Sequence, residues 1–349
     1  MTQKIALVCP VEAGGVRTIT LKLYRSLMLE GFKVKLLSLG KGLFSVFYKD
    51  ARSVKKLENF DVVIYLGSIA WPSHLLISNP KKGVFIHGFV QHEYISSIRH
   101  NNVRTRLGAA LTLSYWNFLN KNINKLNFFI THSITTYETV GIRKRPVILP
   151  QFVLQTEVEE YKQVLKYYEN DSSKNAVRIV TYSSLAESPR LLKMEHIAFI
   201  AKMLSKLVKH KLEFIVVEPQ SPANRPNFNF LKTVRYMPRE EFLKLLVSSD
   251  LYIERCIDEE LRYGSLESGL LGVPVAKITH PAYVTRQDYS DNDLILAKSV
   301  REFISRLAEY IDNLDHFKPY YSKHIKDFVI NKRSWNHVKE PLIKELVTD

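Results

Sequence analysis

The chain is poor in cysteine, with only Cys9 and Cys256 in 349 residues. Two cysteines make neither a disulfide framework nor a zinc site, which excludes the small disulfide-stapled and zinc-stabilised classes of protein. We interpret both thiols as small apolar side chains in a reduced cytoplasm. The sequence also lacks a run of about 18 apolar residues, so no transmembrane helix is expected.

Several other patterns are missing. The first residues, MTQKIALVCP, lead directly into a strand pattern and not into the apolar core and cleavage site of a signal peptide. No repeat of solenoid length is found. The first glycine-rich turn is not G-x-G-x-x-G, so the dinucleotide-binding fingerprint is not met. The expected location is cytoplasmic, with peripheral contact at the inner face of the membrane left open.

The length and the charge distribution point to two unlike halves. A hydrophobic content of 46% and a length of 349 residues are typical of a globular protein with two domains. Residues 1–150 hold 21 Lys and Arg against 7 Asp and Glu, which is +14 of the total net charge of +15. This excess indicates an anionic partner of the first half, such as phospholipid, a phosphorylated acceptor or nucleic acid. A contribution to solubility alone is the alternative.

The first half begins with a predicted strand, loop and helix. Lys4 to Val8 is an apolar strand, Gly14 and Gly15 lie in the loop after it, and Thr18 to Leu29 has helical spacing. Adjacent glycines let a ligand approach the backbone, and the start of the following helix favours an anion. A plain tight turn is equally compatible with this pattern.

Two further features of the first half have alternative interpretations. His87 follows the apolar strand Gly83 to Ile86, where a ring nitrogen can hydrogen-bond to a sugar hydroxyl or a phosphate; a structural histidine is the alternative. Residues 95–126 mix basic and aromatic side chains in an amphipathic pattern. Such a stretch packs onto a sheet, or it lies on an anionic membrane surface.

The second half repeats the alternation of strands and helices. The simplest architecture is α/β, with two doubly wound Rossmann-like domains that face each other across a cleft. We predict an N-terminal domain, a connecting segment, a C-terminal domain and a helical tail that packs back on the N-terminal domain. Their bounds are 1–152, 153–175, 176–320 and 321–349.

The stretch from Asp250 to Ile278 carries the most chemistry. It reads as a buried strand, an acid-rich loop, a short helix that opens at Gly264-Ser265, and a second buried strand. A strand-loop-helix-strand unit places the loop at the carboxyl edge of a parallel sheet, where open α/β folds bind ligands. Glu259 and Glu267 flank the glycine, so both carboxylates can face one ligand.

These residues resemble the retaining, nucleotide-sugar-dependent glycosyltransferases of the GT-B fold, in family 4. The resemblance spans nearly the whole chain. In the first half it rests on Gly14-Gly15, on VFIHG with His87, and on FITHS followed by VILP. In the second half it rests on PREEFLKLLVSSD and on Glu259-x7-Glu267 running into SGLLGVPV.

The resemblance implies a role for each matching residue. Glu259 would bind hydroxyls of the donor sugar, Glu267 the ribose hydroxyls, and His87 the donor sugar in the active site. The amides that open the helix, including those of Ser265 and Leu266, would face the diphosphate. Two cations after the strand Arg178 to Tyr182 normally neutralise the diphosphate; here Ser184 takes the place of the first, and Arg190 or Lys193 stands near the second.

The chain also departs from the family between the paired glutamates. Glu260 and Arg262 replace two glycines that are usual there. Arg262 can restore the positive charge that Ser184 lacks. Without that charge, the diphosphate site would have one cation fewer than the family's pattern.

No metal and no other cofactor is expected. Asp291-Asn-Asp293 is formally a D-x-D motif, but its place before the penultimate helix favours a helix-capping turn. The nucleotide sugar is a substrate. No pyridoxal-phosphate lysine motif is found, which argues against a phosphorylase, although another GT-B enzyme such as an epimerase remains an alternative.

The sequence therefore predicts a retaining glycosyltransferase of the hexosyltransferase type. Its partners would be a nucleotide-sugar donor and an acceptor glycan, lipid or protein. The main alternative is a catalytically impaired GT-B protein that binds an anionic partner, nucleic acid or membrane, although nucleic acid is the less expected of the two.

Overall fold

The chain divides into two compact units: Met1–Pro150 with Val338–Asp349, and Gln151–His337. The structure, a computed structural model, describes residues 3–9, 15–38, 56–66, 78, 80–86, 103, 106–107, 110, 125–135, 144–168, 176–182, 192–218, 230–234 and 237–348. We call the unit that contains residue 1 the first unit and the other the second unit.

The first unit is built on a parallel six-stranded sheet in the order β2-β1-β3-β4-β5-β6. Strands buried on both faces read as continuous apolar runs, and VVIYL in β3 is buried at every position. Helix α1 ends at Leu29 and is followed by Gly31, whose φ of 87° is in the left-handed region that a glycine adopts freely. The elements are β1 (Lys4–Cys9), α1 (Gly15–Leu29), β2 (Lys33–Ser38), β3 (Val62–Leu66), β4 (Lys81–Ile86), β5 (Phe128–Thr131) and β6 (Val147–Ile148).

The second unit holds another parallel six-stranded sheet, in the order β12-β11-β10-β7-β8-β9. Its strands are β7 (Val177–Tyr182), β8 (Leu212–Val217), β9 (Lys232–Val234), β10 (Leu251–Glu254), β11 (Val275–Ile278) and β12 (Ile295–Ala297). The chain runs outward from β7 to β9 and then returns to β10 on the other side of β7. This reversal makes β7 and β10 the topological switch point, where doubly wound sheets bind ligands.

Helices cover both faces of the second sheet. Successive residues of β10 point to opposite faces, so Tyr252 joins one buried apolar cluster and Ile253 the other. The described helices that follow α1 in the chain are α2 (Gln155–Tyr168), α3 (Met194–Leu207), α4 (Arg239–Val247), α5 (Tyr263–Leu270), α6 (Val300–Asp312), α7 (Leu314–Arg333), α8 (Trp335–Val338) and α9 (Glu340–Val347). Among the described helices, none is both long enough and apolar enough to cross a membrane.

The last helix, α9, belongs to the first unit. The side-chain amide of Gln3 donates to the carbonyl of Leu346 at 3.0 Å, and Lys81 donates to the carbonyl of Thr348 at 2.8 Å. Lys339 pairs with Glu30 at 2.8 Å. These contacts fix α9 and its flanking residues to the residue before β1, to β4 and to the turn after α1.

Candidate functional site

The candidate site lies at the carboxyl ends of β7 and β10, the switch point of the second sheet. β7 ends at Tyr182 and β10 ends at Glu254. The hydroxyl of Thr181 donates to the carbonyl of Ile253 at 2.8 Å, which ties the two strand ends together. Residues 255–262, here called the β10–α5 loop, lead from this edge to the start of α5.

The carboxylate of Glu254 organises the loop from within. Its Oε1 accepts from the amide of Cys256 at 2.9 Å, and its Oε2 accepts from the amide of Arg262 at 3.1 Å and from the hydroxyl of Ser265 at 2.7 Å. Glu254 is buried. Three donors stabilise the charged carboxylate in place of water, and they draw both ends of the loop to one side chain.

Lys277 of β11 holds the same loop by its carbonyls. Its ammonium donates to the carbonyl of Cys256 and, at 2.8 Å, to that of Glu260. Burial would lower the pKa of Lys277, but Tyr289, Cys256 and Glu254 outweigh it and hold that pKa above its ordinary value. The lysine is therefore a buried, fixed cation under the loop.

Asp258 sets the backbone on either side of Glu259. Its Oδ1 accepts from the thiol of Cys256 at 2.8 Å and from the amide of Glu260 at 3.0 Å, a local turn of the kind that aspartate favours. Glu259 is itself buried. The loop therefore presents the first predicted carboxylate from a backbone that is held at residues 256, 258 and 260.

The first turn of α5 is hydrogen-bonded to the carbonyl of Arg262. The amides of Ser265 and Leu266, which the resemblance assigns to the diphosphate, both donate to the carbonyl of Arg262, at 3.0 and 3.1 Å. The amide of Gly264 precedes them and donates to no backbone carbonyl among the described residues. A β-carbon at Gly264 would stand 2.2 Å from the hydroxyl of Tyr252, so only glycine fits there.

Arg262 is the residue before α5, and its positive charge lies close to acidic side chains. Cys256 raises its pKa, burial lowers it, and Glu254 and Glu260 raise it further, so the guanidinium stays protonated. Its Nε is buried with no hydrogen-bond acceptor among the described residues. Acidic side chains of β10 and of the β10–α5 loop therefore keep this guanidinium charged.

Glu267 lies in a network that joins α2, α4 and α5. Its Oε1 accepts from the hydroxyl of Tyr161 at 2.9 Å and lies 3.5 Å from Nη2 of Arg239. The same Nη2 donates to the Tyr161 hydroxyl at 2.9 Å and to Glu157 at 3.3 Å. Burial, and then the charge of Glu267, raise the pKa of Tyr161, so its hydroxyl remains a donor. The second predicted carboxylate is thus held in one orientation.

The other predicted site residues are only partly described. Lys193 is exposed and is the N-cap residue of α3. Gly15 is the first residue of α1. Gly14, His87 and Arg190 lie outside the described residues, as does Ser184.

The D-x-D segment forms a tight turn. Oδ2 of Asp293 accepts from the amide of Ser290 at 2.8 Å and from its hydroxyl at 2.9 Å, and Asp291 pairs with Arg306 at 3.1 Å. Helix α6 is capped by Ser299, whose hydroxyl accepts from the amide of Glu302. The turn therefore precedes the cap of α6. Within the described ranges, no group of three or more His, Cys, Asp or Glu residues is placed to hold a metal ion.

Sequence reasoning missed the residues that hold the site together. Glu254 and Lys277 were passed over because they lie in short strands, LYIE and VAKI, that are otherwise apolar or aromatic. A charge inside such a strand is itself a signal, because a buried charge requires partners. Tyr161 and Arg239 carry no comparable signal, since each lies in an ordinary amphipathic helix.

Comparisons with known proteins bear on the fold. No protein-family profile matches the sequence. No curated protein matches it either. Solved structures do match over nearly the whole chain. HepE from Anabaena, in complex with UDP-glucose, has a TM-score of 0.65 and 12% identity, and the match covers 99% of each chain.

Two further structures are similar to the same extent. A glycosyltransferase from Rickettsia africae ESF-5 has a TM-score of 0.67 and 17% identity over 99% of this chain and 98% of that one. Sucrose-phosphate synthase from Thermosynechococcus elongatus has a TM-score of 0.66 and 11% identity over 98% of each. With two parallel, doubly wound six-stranded sheets and these structural neighbours, the chain has the GT-B fold.

Proposed function

We propose that this protein is a retaining glycosyltransferase that moves a sugar from a nucleoside-diphosphate donor to an acceptor. The observation that carries the proposal is the built β10–α5 loop at the switch point of the second sheet. Glu254 and Lys277 hold its two ends and its carbonyls. Glu259, the start of α5 and Glu267 follow in the chain directly after the carboxyl end of β10. That edge is where a nucleotide binds in doubly wound sheets.

The chemistry assigned to each group follows from its charge. Carboxylates accept hydrogen bonds from diols, so Glu259 would bind sugar hydroxyls and Glu267 the ribose hydroxyls. The leaving diphosphate gains negative charge in the transition state. The amide of Gly264, the helix dipole of α5 and the cations Lys193 and Arg190 would stabilise that charge. His87 would contact the donor sugar.

The expected donor and acceptor rest on one structural neighbour and on the charge of residues 1–150. HepE has been solved with UDP-glucose, which makes uridine donors the first to test. The acceptor would be a glycan, lipid or protein, and the net charge of +14 in residues 1–150 favours one that carries negative charge.

A donor screen tests the proposal. The protein is incubated with UDP-, GDP- and ADP-sugars, nucleotide release is followed, and nucleotide binding is measured by calorimetry. We expect release and binding with one nucleotide class, and an acceptor product that keeps the anomeric configuration of the donor. No release with any donor, together with no nucleotide binding, would end the proposal.

A second candidate function is a catalytically impaired protein that binds an anionic partner. The uneven charge of the chain favours it. It predicts binding to anionic vesicles or to DNA that weakens steeply with salt. It also predicts that Glu259→Ala leaves this binding unchanged, whereas glycosyl transfer would be impaired by the same substitution.

A further inference from the structure

Arg255 joins the β10–α5 loop to the segment that opens α3. Its Nε donates to the carbonyl of Leu192 at 2.7 Å, and its Nη2 donates to the same oxygen. In the reverse direction, the amide of Leu192 donates to the carbonyl of Arg255 at 2.8 Å. Both residues are buried, so the two segments are clamped reciprocally in a place from which water is largely excluded.

The pairing of Arg255 with Leu192 connects the segment that carries Lys193 to the loop that carries Glu259. Leu192 is followed directly by Lys193, the exposed N-cap residue of α3, whose side chain makes no capping bond. Arg255 is preceded by Glu254 and lies in the same loop as Glu259. Since 63 residues separate Arg255 from Leu192, their pairing is a tertiary contact across the switch point.

A planar guanidinium is suited to this task. Two of its N–H groups reach one carbonyl at fixed angles, which sets the orientation of the bound segment as well as its distance. A lysine ammonium at the same place keeps the charge but has no such fork. The orientation of the Leu192 peptide in turn sets the position of Lys193 and of the first amides of α3, because these residues follow Leu192 directly in the chain.

We propose that Arg255 is a positioning residue for recognition of the diphosphate. By clamping Leu192, it holds Lys193 and the start of α3 beside the β10–α5 loop, so that the two helix starts bind one diphosphate from two sides. The inference rests on the proposed function and adds to it a residue that touches no ligand.

A double-mutant cycle tests this role. Arg255→Lys, Lys193→Ala and the double variant are titrated by calorimetry with UDP and with uridine, or with GDP and guanosine if the donor screen selects guanosine. Each single substitution is expected to weaken diphosphate binding about tenfold, the typical worth of one charge-assisted hydrogen bond. The double variant should lose little more than either single variant, because the lysine is useful only while it is positioned. Binding of the nucleoside should stay within about twofold in all variants, because it carries no phosphate.

Arg178→Lys is the matched control. Arg178 also lies in the second sheet, on β7. Its guanidinium donates to Glu213 at 2.7 Å and to the hydroxyl of Ser248 at 2.7 Å. It lies near the amino end of that strand, so its substitution should leave diphosphate binding unchanged. Thermal midpoints of all variants are recorded alongside.

The outcomes separate a positioning role from a structural one. Losses that multiply in the double variant, or equal losses for nucleoside and diphosphate, overturn the role of Arg255. If Arg255→Lys does not fold, Lys193→Ala still decides, since unchanged diphosphate binding by that surface variant overturns the inference. A wild-type protein that binds no nucleoside diphosphate overturns the proposed function as well.

Discussion

At the scale of single residues, the β10–α5 loop is unusual for its buried charge. Glu254, Asp258 and Lys277 are each almost inaccessible to water, and each bonds to backbone groups of the loop. Removal of one partner from a buried charged group costs about 3–5 kcal/mol, because the remaining charge is left without compensation. The loop is therefore held by interactions that a single substitution can undo. Under the proposed function, Glu259 and Glu267 would bind the donor from this frame.

Glu267→Gln should weaken binding of the nucleoside diphosphate by about tenfold, the worth of a hydrogen bond to a charged acceptor. The amide keeps the size of the side chain but loses the second negative acceptor oxygen for the ribose diol. Calorimetry with the nucleotide selected in the donor screen measures the effect. Glu159→Gln, an exposed glutamate of α2 that pairs with Lys162, is the control. Equal affinities of wild type and Glu267→Gln would contradict the assignment.

Glu259→Gln should instead lower turnover, by roughly 10- to 100-fold, with a smaller effect on nucleotide affinity. Its proposed partner is the transferred sugar, whose hydroxyls move during the reaction, and we propose no contact between Glu259 and the nucleotide. Steady-state kcat and KM for the donor, set beside the dissociation constant of the free nucleotide, separate the two effects. A variant with normal kcat would show that Glu259 is not part of the reaction centre.

At the scale of elements, α5 is placed by close packing as well as by hydrogen bonds. Gly264 packs against the ring of Tyr252, and Gly269 lies against Val329 and Ile325 of α7. Two small residues on one short helix let it approach both the sheet and a neighbouring helix. The start of α5 is therefore fixed in depth, which matters for amides that must reach a ligand.

Gly264→Ala should destabilise the protein by about 1–3 kcal/mol, the usual range for overpacking. The added β-carbon would stand 2.2 Å from the hydroxyl of Tyr252 and must push either the ring or the helix aside. Tyr252→Phe, which removes that hydroxyl, should recover part of the loss in the double variant. Thermal or urea unfolding of the three variants measures it. Additive losses in the double variant would show that the two side chains do not meet.

At the scale of the whole molecule, the charge is unevenly distributed and the second unit holds several buried tyrosines. Burial and nearby negative charge raise the pKa of several tyrosines of the second unit, listed here as Tyr161, Tyr252, Tyr263, Tyr289 and Tyr310. The net charge of +14 in residues 1–150 contrasts with near neutrality in the rest. Alkaline pH therefore acts on these buried tyrosines of the second unit, and salt acts on any anionic partner of the basic residues 1–150.

The free energy of unfolding should fall as pH rises from about 10 to about 12. Burial raises the pKa of Tyr289 to about 12, against an ordinary value of 10.0. Below pH 10 both states keep the proton, so the stability is fully present. Above it the unfolded state ionises first, and about 3 kcal/mol is lost by the time pH passes the folded pKa.

Tyrosinate absorbance and far-ultraviolet circular dichroism, followed together through this range, test the expected alkaline transition. We expect the buried tyrosines to ionise in step with loss of helix and sheet. Full tyrosine ionisation with an unchanged dichroism spectrum would contradict it. A Tyr289→Phe variant, which has no proton to lose, should shift the transition to higher pH.

How much was predictable follows from the range over which each interaction acts. The predicted pair of doubly wound sheets is confirmed, since apolar runs such as those of β3 and β10 report burial on both faces through their own composition. The start of α5 near Gly264 was also predictable, because a glycine after a polar loop is a local signal. The placement of Glu259 and Glu267 at a ligand edge was inferred from the strand-loop-helix-strand pattern, and their roles from the resemblance; both stay predictions.

The amino-acid sequence by itself determined the strands, the helices and the two-fold α/β rhythm, because these depend on side chains a few residues apart. Only the tertiary structure decided what stands beside the site. It paired Arg255 with Leu192 and Glu267 with Tyr161, at separations of 63 and 106 residues. The physical reason is the strand order. The chain returns from β9 to the far side of β7, so β10 and its loop lie beside segments that are distant in the sequence.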